Sequence, residues 1–539
     1  MKVRSVALWA ALGVAVSSAA ALAIPMPPGA KGGTSTVLAD PNGKPLDAQD
    51  VNHFTAGQTL TIDGRLGHAT LAKNGAGETF LFTSVTGTDA ASASAAPLNL
   101  AIVIDRSGSM KGDRIANAIT AAVGMVERMR DGDTVTVVSF DTEAQVVVSP
   151  TRTTPGTRPT IESAIRAIRL GGDTCISCGL DAAMVQLNQT SLGGGRRALG
   201  DEVRSAPESV NRMILLSDGA TNHGIRDIGG LRALAGRMRD RGCSISTVGV
   251  DVDFDEKVMA AIASESNGRH YFVANPSGLP AIFAQEFDSL LASIATGTEL
   301  AVDLAPGVEV EQVFDRTFRR EGNRIIVPFG TFSAKQEKTV LIKLRVPADR
   351  EGMQPVADVK LTYRDLVQKS DGAAVGALAL MVTTDGAAQT DLDPFVAARL
   401  ERSKTAQTLT EANLLFENGR GAEARDKLAA QSKELAKSEV VARSFAARNR
   451  PAAAAPRNSR GVDDDFNQQR AAVAQAEASF APPPPAKGGS IGGFGSGGSN
   501  ASPFATGTAA TAPSPAQQDT REGKAARKTN QSNASDFGL

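Results

Sequence analysis

The apolar run Leu98 to Ile104 leads directly into Asp105-Arg106-Ser107-Gly108-Ser109. Such a run reads as a strand buried in a parallel sheet, and open α/β sheets hold ligands in the turns at the carboxyl ends of their strands. This turn offers one carboxylate and two hydroxyls, all hard oxygen donors. Alternate spacing lets Asp105, Ser107 and Ser109 face one centre, while Gly108 relieves the backbone. Neutral hydroxyls, few carboxylates and waters suit the octahedral shell of a small divalent cation, Mg²⁺ or Mn²⁺. Alone, the pattern arises by chance in roughly one chain in ten of this length. Partners elsewhere in the chain must decide.

Two further turns supply them. Gly171-Gly172-Asp173-Thr174 precedes a helical stretch (Gly179 to Gln189), and a second apolar run, Met213 to Leu216, ends in Ser217-Asp218-Gly219. In this order the three segments resemble the metal-ion-dependent adhesion site of the von Willebrand factor type A (VWA) domain. The resemblance implies that Ser107 and Ser109 ligate the metal directly, Thr174 directly or through water, and Asp105 and Asp218 largely through water. It further implies one open coordination position, filled by an acidic side chain of a protein partner. Weakly donating hydroxyls would keep the ion electrophilic toward that carboxylate. Ser, Thr, Asp and Gly also serve simply as caps and turns. The agreement of three separated elements favours the metal site.

The rest of residues 98–296 fits one doubly wound, mostly parallel, Rossmann-like sheet. Ile115, Ile119, Val123 and Val126 recur at helical spacing within Gly112 to Met129. A β-branched strand follows from Thr134 to Phe140, and Asp141-Thr142 turns the chain into an antiparallel edge, Ala144 to Val148. Strand and helix then alternate through Met213 to Leu216, Ile228 to Arg241, Ser244 to Val250, Asp255 to Asn267, His270 to Val273 and Leu279 to Ser293. The Gly/Arg-rich insertion 191–208, with Arg196-Arg197, joins a helix end to a strand start and is expected as a solvated loop on the face opposite the metal.

At 539 residues the chain exceeds one core. Its 57 basic residues balance 58 acidic ones, and no basic stripe, aromatic interleaving or zinc-finger spacing points to nucleic acid. Lys2 and Arg4 precede the apolar stretch Val6 to Val16, with small residues at Ala19, Ala21 and Ala23. Residues 1–24 therefore read as a signal peptide, and the mature chain as extracytoplasmic: periplasmic, surface-bound or secreted. An uncleaved anchor is the rival reading, and membrane contact is expected only in that case. Residues 25–97, with the turn Asp40-Pro41-Asn42-Gly43, and 297–385 carry short strand signals. They are expected to pair as one sandwich around the inserted domain, an arrangement similar to exported bacterial VWA proteins and, more loosely, to the inter-alpha-trypsin inhibitor heavy chains. Residues 391–448 read as a helical hairpin broken at Asn418-Gly419-Arg420-Gly421. From 450 to 539 the composition turns to Ala, Pro, Gly, Ser, Gln and Asn, which predicts a disordered, low-complexity tail.

The chain has four histidines and no H-E-x-x-H, G-x-S-x-G or P-loop, so no catalytic or organic-cofactor residues are expected. One redox-like element stands out, Cys175-Ile176-Ser177-Cys178, directly after Thr174. An exported compartment favours a disulfide between Cys175 and Cys178, leaving Cys243 buried at a strand start. Thiol-disulfide catalysis, or a redox-switched assembly role, is the alternative function. A second acidic run, Asp251-Val252-Asp253-Phe254-Asp255, falls on the same face and raises a supplementary Ca²⁺ site, although helix capping by Asp255 accounts for much of it. The function expected is an exported, non-enzymatic protein that binds an acidic group of a partner through Mg²⁺.

Overall fold

The computed structural model describes residues 51–89, 96–192, 209–218, 221–252, 254–386, 390–448, 462–481 and 517–538. The proposed signal peptide, the turn at 40–43 and most of the insertion 191–208 lie outside them. Among the described residues, four strands precede the α/β unit: β1 (His53–Gly57), β2 (Leu60–Leu66), β3 (Thr70–Ala72) and β4 (Glu78–Gly87). The apolar run then forms β5 (Leu98–Asp105), buried along its whole length because neighbours cover both edges and helices both faces. Its sheet also contains β6 (Thr134–Phe140), β7 (Ala144–Arg152), β8 (Val210–Ser217), β9 (Cys243–Val250) and β10 (His270–Val273), in the order β10-β9-β8-β5-β6-β7. All pairs are parallel except β6 with β7, the antiparallel edge.

Among the described residues, six helices cover this sheet: α1 (Asp113–Arg128), α2 (Arg158–Arg166), α3 (Ile176–Leu192), α4 (Ile228–Asp240), α5 (Glu256–Glu265) and α6 (Leu279–Leu291). One face packs Ala118, Val126, Ile161, Ile165, Phe283 and Phe287 against Leu100, Ile102 and Ile104. The other packs Ile176, Leu180, Leu231, Leu234, Val258 and Ile262 against Ala101, Val103 and Leu215. Only α2 lacks a counterpart in the sequence reading. It is a helix of nine residues with Pro159 in its first turn and two buried isoleucines, Ile161 and Ile165, too few to show a period. Strand order reverses between β5 and β8, so the carboxyl ends of these two strands flank a topological switch point.

The flanking strands form two further sheets. β2 and β4 continue through β15 (Glu337–Arg345) to β12 (Glu309–Phe314), giving the order β1-β2-β4-β15-β12. The other sheet runs β13-β14-β11-β16-β17-β3, built from β11 (Ser293–Leu304), β13 (Arg319–Glu321), β14 (Arg324–Ser333), β16 (Gly352–Asp365) and β17 (Ser370–Thr383). One core holds Leu60, Ile62 and Leu81 together with Val302, Val327, Ile342 and Leu361. Residues before and after the α/β unit therefore share a single sandwich. The α/β unit enters after Gly87 and leaves at Ala292, and both carbonyls accept hydrogen bonds from one turn, Lys335 N–H to Gly87 O at 3.0 Å and Ala334 N–H to Ala292 O at 2.8 Å.

Beyond the sandwich lie α7 (Pro394–Glu417) and α8 (Gly421–Arg448), the hairpin. Two segments of the stretch 450–539, expected to be disordered throughout, are helical. Within that stretch α9 (Val462–Ser479) and α10 (Arg521–Gly538) pack on the hairpin, placing Phe466, Val473, Phe480 and Phe537 in one core with Leu409, Phe416 and Leu428. The Phe416 and Phe480 rings stack 4.1 Å apart. Bulk composition diluted these few well-spaced aromatics below notice. Among the described residues no helix is long and apolar enough to cross a membrane.

Candidate metal site

The turn after β5 is tied down before any ligand arrives. The Ser107 backbone N–H donates to Asp105 Oδ1 at 2.8 Å, and Ser217 Oγ, on the neighbouring strand end, donates to Oδ2 at 2.5 Å. Asp105 is wholly buried, and burial pushes its carboxyl up to about 6, against the stabilising bonds from Ser217 and Ser107. A buried carboxylate of this kind gains from a nearby cation.

Ser107 Oγ lies 3.0 Å from Ser109 Oγ, which donates to Asp218 Oδ1 at 2.7 Å. Adjacent ligands of an octahedral Mg²⁺ with 2.0–2.1 Å bonds stand about 2.9 Å apart. The donor set and its spacing thus fit that ion. Ser109 is exposed, so the site faces solvent on that side, whereas Ser107 and Asp218 are buried. Thr174 comes from the adjoining turn, which is docked by Gly108 N–H on Gly172 O at 3.0 Å and Gly171 N–H on Arg106 O at 2.7 Å. Its backbone is clamped: its N–H donates to Asn222 Oδ1 at 2.8 Å, and its carbonyl accepts from the Asn222 and His223 N–H groups at 3.0 and 3.1 Å. Asp105, Ser107, Ser109 and Asp218 are therefore brought together, with buried Thr174 on the next turn. Among the described residues no three His, Cys, Asp or Glu side chains cluster to hold a metal.

Directly after Thr174, Cys175 and Cys178 are joined by a disulfide, their Cα atoms 5.3 Å apart. Gly224, at φ +68°, lies against it, and a Cβ there would come within 2.5 Å of Cys175 Sγ. Cys243 is a buried free thiol, pushed up to about 12 by burial.

Sequence reasoning missed Arg114. Its Nη1 donates to Asp218 Oδ2 at 2.7 Å and to the Ser109 carbonyl at 2.9 Å, and its Nη2 donates to Asp251 Oδ2 at 2.6 Å. A basic residue in the first turn of α1, where the helix dipole disfavours cations, was the available signal. The calcium expectation also needs correction. Asp251 is engaged by Arg114 and Arg521, and Asp255 caps α5 through the Lys257 and Val258 N–H groups. Asp253 lies outside the described residues.

A hydroxyl-rich cation site at the switch point of an open α/β sheet defines the class of metal-ion-dependent adhesion sites. Residues 99–285 match the model of the von Willebrand factor type A domain, and the chain carries such a domain. It is 28% identical over 279 residues to uncharacterized protein sll0103 of Synechocystis, covering 50% of this chain and 62% of that one. It is 26% identical over 176 residues to mouse inter-alpha-trypsin inhibitor heavy chain H2, covering 32% of this chain and 17% of the heavy chain. Among solved structures, the von Willebrand factor type A protein from Catenulispora acidiphila shares the fold with a TM-score of 0.59 at 18% identity, over 71% of this chain and 89% of that one.

Proposed function

We propose that this is an exported, non-enzymatic binding protein that holds Mg²⁺ through Ser107, Ser109 and Thr174, with Asp105 and Asp218 behind them, and grips an acidic group of a protein partner. The 3.0 Å spacing of the Ser107 and Ser109 hydroxyls carries this reading, because it sets two oxygens at the separation of adjacent octahedral ligands, with Asp218 held behind them by its hydrogen bond from Ser109. Bound Mg²⁺ would supply an electrophilic position for a carboxylate. The chain's own hydroxyls orient it, and exposed Ser109 marks the approach. Export is supported by the basic-then-apolar amino terminus and by the disulfide, which persists in oxidising compartments.

Thiol-disulfide catalysis is less favoured. Cys175, the first cysteine of the pair, is fully buried and Cys178 only partly exposed, whereas reactive cysteines sit in accessible, electropositive surroundings. The reading is tested by recovering partners on the immobilised full chain from native envelope extracts, with Mg²⁺ or with chelator. Retention only with Mg²⁺, lost in Ser109→Ala, is expected. Chelator-insensitive binding of the same partner would refute it. Amino-terminal sequencing of the native protein should find the mature chain starting between Ala20 and Pro25.

A further inference from the structure

Asp251 follows β9 at φ +64°, in the left-handed region that a non-glycine residue enters at a cost and that clusters at functional sites. Its Oδ2 accepts from Arg114, the same guanidinium that holds Asp218. Its Oδ1 accepts from the Val252 N–H at 2.8 Å and pairs with Arg521 at 3.1 Å. Arg521 opens α10, and seven residues on the buried Lys528 of the same helix donates to the Phe254 carbonyl and the Glu256 carboxylate, 4.1 Å over the Phe254 ring. The last helix thus grips the loop after β9. That loop, through Arg114, reaches a residue of the metal site.

We propose that α10 is a clasp whose seating opposes cation binding, coupled through Asp251 and Arg114. The inference rests on the metal-site reading above. While α10 is seated, the Asp251 carboxylate is shared between two guanidinium groups, so Arg114 spends part of its charge on Asp218. Lifting Arg521 leaves Asp251 to Arg114 alone and draws the guanidinium off Asp218, which then faces the cation undiluted. Conversely, a divalent cation at Ser107, Ser109 and Asp218 repels Arg114 toward Asp251 and loosens Arg521. Linkage makes the two effects equal in free energy. The other end of α10 stays held, since Arg399 and Arg402 donate to the Phe537 carbonyl, so the helix can lift at its start without leaving the molecule.

The test titrates the full chain with Mg²⁺ alone by calorimetry and follows hydrogen exchange along α10. Arg521 is an exposed side chain, so Arg521→Gln leaves folding intact. It should bind Mg²⁺ at least about fivefold tighter than wild type. Saturating Mg²⁺ should speed exchange in the first turns of α10 in the wild-type chain. In an Asp251→Asn background, Arg521→Gln should lose its effect, whereas simple through-space repulsion between Arg521 and the cation would leave it unchanged. Wild-type binding that Arg521→Gln does not alter, an additive double variant, or α10 exchange indifferent to Mg²⁺ would each overturn the clasp while leaving the metal site standing. Failure of both wild type and Arg521→Gln to bind Mg²⁺ would overturn the metal reading and the clasp with it.

Discussion

Ser109 stands where solvent meets an otherwise buried set of oxygens, and the chemistry of the site follows from that placement. Asp105 and Asp218 lie behind it, almost without exposure, where they would tune the charge of a bound cation while the Ser109 hydroxyl faces outward. Outer partners of this kind usually change metal affinity by 10–100-fold. Asp105→Asn and Asp218→Asn, which preserve volume, should each weaken Mg²⁺ binding by about that factor, with circular dichroism unchanged. Calorimetry showing wild-type affinity in both would remove these residues from the site. His270 allows a second prediction at this scale. Its ring is buried beside Phe254 and hydrogen-bonded to Thr247 Oγ1 at 2.9 Å, and burial, aided by the Lys528 charge, pushes its pKa down to about 4. The unfolded chain takes up that proton near pH 6.5. The neutral ring's contribution is therefore complete above about pH 6.5 and is lost as pH falls toward 4, amounting to about 3 kcal/mol at the low end. Denaturant unfolding at pH 7 and pH 4.5 should show this loss in wild type and a smaller one in His270→Asn. Equal slopes in the two proteins would count against it.

At the scale of elements, the sheet was legible because its inner strands are runs of buried apolar residues and its helices other than α2 carry apolar residues at helical spacing. β5, β6 and β10 are cases where the residues pointed to nearly the observed bounds. β17 was not legible, since Ser370-Asp371-Gly372-Ala373-Ala374 carries little β-branched character and is made a strand by pairing with β16. The site was half legible. The oxygens of Asp105, Ser107, Ser109 and Asp218 advertise themselves by type and spacing, whereas Arg114 reaches Asp218, and Asn222 reaches Thr174, only through tertiary packing. The turn bearing Thr174 sits between these cases. Its backbone is clamped by Asn222 and His223 and followed by the Cys175–Cys178 bridge, which leans on Gly224. Opening the bridge takes two electrons and two protons from an external dithiol and frees the start of α3. Reduced protein, or Cys175→Ser with Cys178→Ser, should therefore bind Mg²⁺ more weakly, by roughly fivefold or about 1 kcal/mol, since so short a loop removes little chain entropy. Peptide mapping that finds three free thiols in protein purified without reductant would end this account.

Across the whole molecule, the VWA domain is an insertion between strands that must find one another over long sequence distances. β4 pairs with β15 from Thr86 opposite Glu337 to Glu78 opposite Arg345, about 250 residues later in the chain, so neither flank completes a sandwich alone. Sequence patterning indicated strands on both sides, but partnership depends on geometry that no local signal encodes. The packing states what should happen if the chain is cut between β4 and β5. Leu60, Ile62, Leu66, Leu81 and Val85 are fully buried in the shared core, each worth roughly 1.5–3 kcal/mol relative to exposure, and the β4–β15 ladder adds hydrogen bonds along its length. Together these are comparable to the roughly 4–15 kcal/mol that association of two separate pieces costs, and here the pieces start already assembled. A protease site placed at residues 90–95 and cleaved in the folded protein should therefore give two fragments that co-elute on gel filtration. They should separate only when denaturant unfolds the sandwich. Leu81→Ala, by opening a cavity in the shared core, should weaken their association by about 2–5 kcal/mol while leaving Mg²⁺ binding intact, because Leu81 belongs to a different core from the metal site. Fragments that part at once under native conditions would show that the flanks are held by the covalent link and not by the paired strands.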